Sequence, residues 1–244
     1  MNAWSPVMQP QPAYLLHRRA YRETSALVDL ISAEHGRIRA VARGAMRPGS
    51  RTRHRLQPFS PLHLTWVGEG ELKTLRLIES GGPGAMLAGE GLLCGFYANE
   101  LLTRCLPLEL PAQRVFIFYG ALLEALPVPA RRASALRRFE ITLLESLDAD
   151  PVFLTERDTP LEPSARYIYQ PHWRRFRMAA QDEAGLDGRA LLWLSRDDWE
   201  APGLAGVARA LTRAALAPLL GDRPLRSREL MQDLIVRRRH TRSE

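Results

Sequence analysis

A chain of 244 residues with 45% apolar and 25% charged side chains is long enough for one large core or two modest ones, which excludes a disordered or fibrous protein. Its formal net charge of +7 favours a polyanionic partner without choosing among DNA, RNA and an acidic protein. The opening MNAWSPVMQPQP has no basic start followed by an apolar stretch, and no apolar run is long enough to span a bilayer. A cytoplasmic protein with no secretory signal and no membrane partner is therefore expected.

From Ala13 to Glu79 the pattern is short and strand-like. AYLLHRR, TSALVDLIS, RIRAVARG, PLHLTWVG and ELKTLRLIE are separated by Gly36, Pro48-Gly49 and Gly68-Glu69-Gly70. Five strands in so short a span predict a small barrel over residues 1–80, and their lengths and order fit an oligonucleotide-binding (OB) barrel. Between His35 and Gly68 there is no carboxylate, yet seven arginines stand there: Arg37, Arg39, Arg43, Arg47, Arg51, Arg53 and Arg55. Planar guanidinium forks suit phosphate oxygens, and cations unbalanced by acids concentrate anions around them. GRIRAVARG reads as a strand and GAMRPGSRTRHR as a mobile basic loop, together a nucleic-acid path; the alternative is solvated surface charge. Lys73 is the only lysine; a retained ammonium among arginines fits either chance retention or a site that needs a compact charge, and on the second reading it joins the DNA-binding candidates. Of Tyr14, Tyr21, Phe59 and Trp66, most belong in the core and at most one or two face nucleic acid, alternation alone not saying which.

GGPG at 81–84 breaks the pattern and reads as a linker, after which the period becomes helical. Leu93, Phe96, Tyr97, Leu101 and Cys105 fall three or four apart, with Glu100 and Arg104 paired on the outside. Pro111 and Pro129 open two further helices. LAGVARALTRAALAPLL and SRELMQDLIVRRRH are helices as well, the last with Ser227 as N-cap, Glu229 in its first turn and Arg237 to Arg239 at its C-terminal end. A helical domain thus spans 85–150 and 200–244, interrupted by a small module at 151–199 in which RYIYQ and RRFRMAA pair as a hairpin across Pro171. The PHWRRFR stretch in that module fits a strand-binding surface as well as it fits a hairpin covering the helices.

No catalytic centre is predicted. Glu71-Leu72-Lys73 matches the E-x-K core of a nuclease motif but lacks a well-spaced acid to hold Mg²⁺. GEGELKT is not a P-loop, because Leu72 stands where glycine must precede the lysine. Cys94 and Cys105, the only cysteines, share a helix face about 16 Å apart at 1.5 Å rise per residue, so they read as buried inert thiols and make no zinc site. No cofactor is expected.

Taken in order, YRETSALVDLISAEHGRIRAVARGAMRP, LQPFSPL, GELKTL, ANELL, ALRRFEITLLE and PLRSRELM resemble the RecO family of bacterial recombination mediators from Leu16 to Arg239, most weakly over 151–199. The resemblance implies an α+β fold: an N-terminal OB barrel, a helical domain and a small interposed module, which in some relatives is a zinc ribbon. The paired cysteines of that ribbon are absent here, so zinc is not carried over. It further implies binding of single- and double-stranded DNA, strand annealing, association with RecR and with the C-terminal tail of the single-strand-binding protein SSB, and indirect help to RecA, without enzymatic activity and at the nucleoid during repair. Arg137 matches a family position of the SSB-tail pocket, and Arg209 with Arg213 offer two further forks one turn apart; helix-surface charge is the alternative for all three. An RNA-binding OB protein and an adaptor for acidic proteins are the alternatives.

Overall fold

The computed structural model of the chain describes residues 9–199 and 201–241, with side chains as far as 234. It falls into two compact units, residues 1–127 with 225–244 and residues 128–224.

The first unit is built on five strands: β1 (Gln11–Tyr21), β2 (Ser25–Ser32), β3 (Gly36–Ala42), β4 (Pro61–Val67) and β5 (Leu72–Ser80). They close into a barrel in the order β1-β2-β3-β5-β4, with β3 and β5 parallel and the other pairs antiparallel. This is the expected OB-like topology, and all five predicted strands are present. Alternate residues point inward, so Val28, Leu30, Ile38, Ala40, Ala42, Leu62 and Leu64 fill the interior. Alanines on β3 keep that wall thin while leucines opposite supply bulk, each worth about 1.5–3 kcal/mol when fully buried. In β2 the outward residues Leu27, Asp29 and Ile31 are buried too, and the helix Gln113–Ala125 packs against this strand.

Between β3 and β4 the expected mobile loop contains a short helix, α1 (Arg51–Arg55), whose N-cap Ser50 accepts a hydrogen bond from the Arg53 N–H. The serine satisfies one of the orphan amides that open any helix. None of the helix's side chains is buried, so this segment presents its arginines to solvent.

In this unit α2 (Gly89–Cys105) packs on β1, α3 (Gln113–Ala125) on β2, and α7 (Arg226–Thr241) on α2. Buried Asn99 on α2 donates to the Leu16 carbonyl of β1 at 3.0 Å and accepts from the Tyr119 hydroxyl of α3 at 2.6 Å, tying three elements through one amide. Ser227 is not the N-cap of α7. It lies inside the helix, and the Glu100 carboxylate caps it from α2, accepting from the backbone N–H groups of Arg226 and Ser227 at 2.9 Å each and from the Ser227 hydroxyl at 2.6 Å. The side chains of Arg237 to Arg239 lie outside the described residues.

In the second unit α4 (Pro129–Ser146) starts at its proline as predicted. It packs on α6 (Leu204–Leu220), and a three-stranded sheet runs in the order β7 (Arg175–Met178), β6 (Arg166–Gln170), β8 (Leu186–Asp187), followed by α5 (Gly188–Leu194). The hairpin across Pro171 is therefore real, with Tyr169 opposite Phe176 and Gln170 opposite Arg175. Phe176, wholly buried, is ringed by Phe153, Tyr167 and Tyr169 at 5.2–6.5 Å between ring centroids. These rings form the core of the small module.

Candidate nucleic-acid interface

The acid-free arginine stretch divides into three environments. Arg37 and Arg39 lie on the outward face of β3, and the β2–β3 register sets Arg39 directly opposite Asp29. Both arginines bond Asp29 Oδ1. Arg37 reaches it at 3.0 Å through one terminal nitrogen and spends the other on the Leu106 carbonyl at 3.0 Å. Arg37 is buried and belongs to the interior of the unit. Its donors go to the Leu106 carbonyl and to Asp29, an acid eight residues upstream and outside the acid-free window.

Past β3 the chain turns back on itself. Met46 donates to the Thr24 carbonyl, and Ala26 pairs with Ala42, which sets the β1–β2 turn beside the residues that follow β3. The result is a cleft of about 390 Å³ lined by Tyr21, Arg22, Thr24, Arg43, Arg47 and Lys73, among others. Arg43 and Arg47 are exposed. Arg22, in a left-handed conformation at φ 54°, holds its guanidinium 5.2 Å from the Tyr21 ring centroid. The Lys73 ammonium meets the Glu109 carboxylate at 2.8 Å. Four cations around one opening form a pocket that phosphate oxygens satisfy and that favours anions electrostatically.

The α1 arginines stand apart from this cleft. Arg51 and Arg53 are exposed, while Arg55 donates to the Ile78 carbonyl of β5 at 2.7 Å and Arg18 crosses to the Arg53 and Leu56 carbonyls. Of the aromatics, Trp66 is buried edge-on to His35, Phe59 packs on Phe96, and Tyr14 sits between Phe116 and Tyr119. Tyr21 alone of the four lines the cleft. Sequence reasoning missed Arg22 and Thr24 because they lie outside the arginine run; the antiparallel register of β2 and β3 was the signal that could have found them.

In the second unit a cleft of about 430 Å³ opens between α4 and the start of α6, lined by Arg131, Ser134, Arg137, Trp199, Leu204 and Ala208 among others. Arg137 is clamped there, 2.7 Å from buried Glu140 and donating to the Thr212 hydroxyl at 3.0 Å. Arg209 and Arg213 are exposed on α6 and do not line this cleft. Arg131 was not anticipated.

Cys94 and Cys105 are half-buried rather than enclosed, and burial pushes the Cys105 thiol up to about 11 despite nearby Arg104. Among the described residues no three His, Cys, Asp or Glu side chains gather as a metal-ligand set, and no helix is long and apolar enough to cross a membrane.

A closed five-stranded OB-like barrel with a cationic cleft, followed by a helical domain, defines a barrel-and-helix protein of the kind that handles nucleic acids. The chain belongs to the RecO family: residues 8–81 match the family model "Recombination protein O N terminal" and residues 86–147 match "Recombination protein O C terminal". Among its relatives, the DNA repair protein RecO of Nitrosococcus oceani is 42% identical over 228 residues, covering 92% of this chain and 93% of its own. RecO of Pseudomonas paraeruginosa is 44% identical over 228 residues, covering 91% and 94%, and RecO of Chromobacterium violaceum is 40% identical over 237, covering 91% and 94%. The chain is thus a DNA repair and recombination protein.

Proposed function

We propose that the chain is a non-enzymatic mediator that binds single- and double-stranded DNA and anneals complementary strands, working without metal or nucleotide. The observation that carries this reading is the convergence of Arg22, Arg43, Arg47 and Lys73 on one cleft of the barrel, with Arg51 and Arg53 exposed on α1. Annealing without an ATP site requires only that backbone charge be neutralised while base edges stay free to pair. Phosphate contacts made by flexible cations do this, since they carry no sequence information.

The acidic, apolar tail of SSB fits the α4–α6 cleft, where Arg131 and Arg137 face apolar Leu204 and Ala208. RecR and, indirectly, RecA are the remaining partners of this reading. In it the two units divide the work, the barrel engaging strands and the second unit engaging the SSB tail.

Fluorescence anisotropy with labelled single-stranded DNA, duplex DNA, RNA and the tail peptide tests it. About five phosphate contacts on a single strand give a log K against log salt slope of about −3.5. A slope near zero overturns the phosphate model. Tighter binding to RNA than to DNA supports the translation-type alternative instead, and binding of the peptide alone supports the adaptor.

A further inference from the structure

The β6–β7 hairpin of the second unit holds an aromatic side chain outward by construction. Trp173 is 72% exposed at the hairpin turn, the largest aromatic surface among the described residues. Its position is fixed from both sides. Arg174, left-handed at φ 56°, donates to the carbonyls of Asp148 and Asp150 and to both their carboxylates at 2.6–2.9 Å. Arg175 meets Asp158 at 2.7 Å, which ties the facing loop to β7. That loop is itself closed by Thr155 and Thr159, whose hydroxyls share a 2.6 Å hydrogen bond.

Between the two walls lies a cleft of about 740 Å³ lined by Glu156, Arg157, Asp158, Gln170, Trp173 and Arg175. Beside it the Gln170 side-chain carbonyl is buried without a hydrogen-bond partner. A buried acceptor left unpaired costs free energy unless a donor reaches it.

The chemistry here differs from that of the barrel cleft. Glu156 and Asp158 balance Arg157 and Arg175 in this lining, so the cleft lacks the unopposed positive charge of a second polyanion groove. A π face, an unpaired amide and carboxylate acceptors together suit a flat heterocycle that stacks on one side and donates N–H groups from its edge. We infer that the Trp173 cleft is a nucleobase site, taking one unstacked base of a single strand, with Arg157 placed at the rim for its phosphate. Duplex bases, stacked and paired, cannot enter. Carboxylate and amide acceptors favour the amino-bearing bases adenine, cytosine and guanine over thymine. The inference rests on the reading of the chain as a single-strand binder and adds a contact that discriminates single strands from duplex.

The test is anisotropy of the full chain with a labelled single-stranded oligonucleotide and with a blunt duplex, each across a salt series, for Trp173→Ala, Trp173→Phe and the unaltered protein. Base stacking on an aromatic is lost with a drop of about five- to hundredfold in single-strand affinity for Trp173→Ala. Duplex affinity and the salt slope stay unchanged, Trp173→Phe retains most of the binding, and thermal melting is unaltered because the side chain is exposed. Single-strand binding unchanged in Trp173→Ala, or single-strand and duplex binding reduced alike, overturns the base site; a peptide occupant of the cleft gives the former. A steep slope in the unaltered protein with an inert Trp173 sinks this inference alone, whereas no single-strand binding in any protein sinks the parent reading with it.

Discussion

The ammonium of Lys73 lies 2.8 Å from the carboxylate of Glu109, and Glu109, at φ 59°, donates its own backbone N–H to the Arg37 carbonyl at 2.8 Å. The connection between α2 and α3 thus lies along the edge of β3 and brings an acid to the one lysine of the basic cleft. Lys73 is largely covered, at 12% side-chain exposure, while Glu109 is half-open at 47%. A half-open carboxylate can swing away and be replaced by a phosphate oxygen on the same ammonium.

Glu109→Gln removes the internal competitor. Single-strand affinity is expected to rise severalfold, and the salt slope to steepen by about 0.7 as one more phosphate contact becomes available. Stability should change by less than about 1 kcal/mol, as for other partly exposed pairs. Anisotropy titrations over a salt series check both the affinity and the slope; affinity and slope both unchanged mean that Lys73 never meets DNA.

An alanine scan of the acid-free stretch should split along the line that the structure draws through it. Arg37→Ala leaves the buried Asp29 carboxylate short of its closest partner and is expected to cost about 3–5 kcal/mol. Arg43→Ala and Arg47→Ala, at exposed sites, should stay within about 0.5 kcal/mol while each flattens the single-strand salt slope. Chemical denaturation beside anisotropy separates the two groups, and equal melting of all three variants would contradict the assignment.

That split shows where sequence reading reaches its limit. Alternation of Ile38, Ala40 and Ala42 with Arg37 and Arg39 correctly placed a strand with an apolar inner face, because period-2 patterning is a local property. Whether the arginines on its outer face meet water or an acid depends on the neighbouring strand, and Asp29 is brought across only by the hairpin register. The Lys73–Glu109 pair, 36 residues apart, was illegible for the same reason. Tyr21 and Arg22 line the cleft because a turn folds over, not because their own sequence context marks them. The capping of α7 by Glu100 similarly requires two helices distant in sequence to meet, so a serine at the right position was a natural but mistaken choice of N-cap.

Gly36 supports the same edge of the barrel. It opens β3 at φ 61°, directly after the β2–β3 turn, and a Cβ there would stand 1.8 Å from the Leu110 carbonyl oxygen. Gly36→Ala is expected to destabilise by at least about 1–2 kcal/mol from the left-handed backbone alone. The clash adds to this by pushing the 106–110 segment off β3. Since that segment carries Glu109, the variant should also bind single strands more tightly in conditions where it remains folded. Thermal melting and anisotropy together check the coupling; destabilisation without any gain in binding would separate the segment from the cleft.

The Glu100 cap makes the attachment of α7 sensitive to acid. Burial acts to raise the Glu100 carboxyl, but the Ser227 hydroxyl and the N–H groups of Ser227 and Arg226, helped by Arg104, outweigh it and hold the group below its ordinary 4.5. A carboxyl with a lowered folded-state value contributes stability that is fully present above 4.5 and is lost as pH falls from there through the lowered value. Glu100→Gln keeps an acceptor but loses the charge facing the positive end of the helix, so it should cost about 1 kcal/mol at neutral pH. The difference in stability between the two proteins is expected to be constant from pH 7 to about 5 and to close progressively below that as the native carboxylate protonates. Melting curves at stepped pH check this. A gap that persists unchanged at pH 3 would mean that the carboxylate does not cap the helix, leaving α7 held by other contacts such as the Arg228 guanidinium, which donates to the Tyr97 hydroxyl at 3.1 Å.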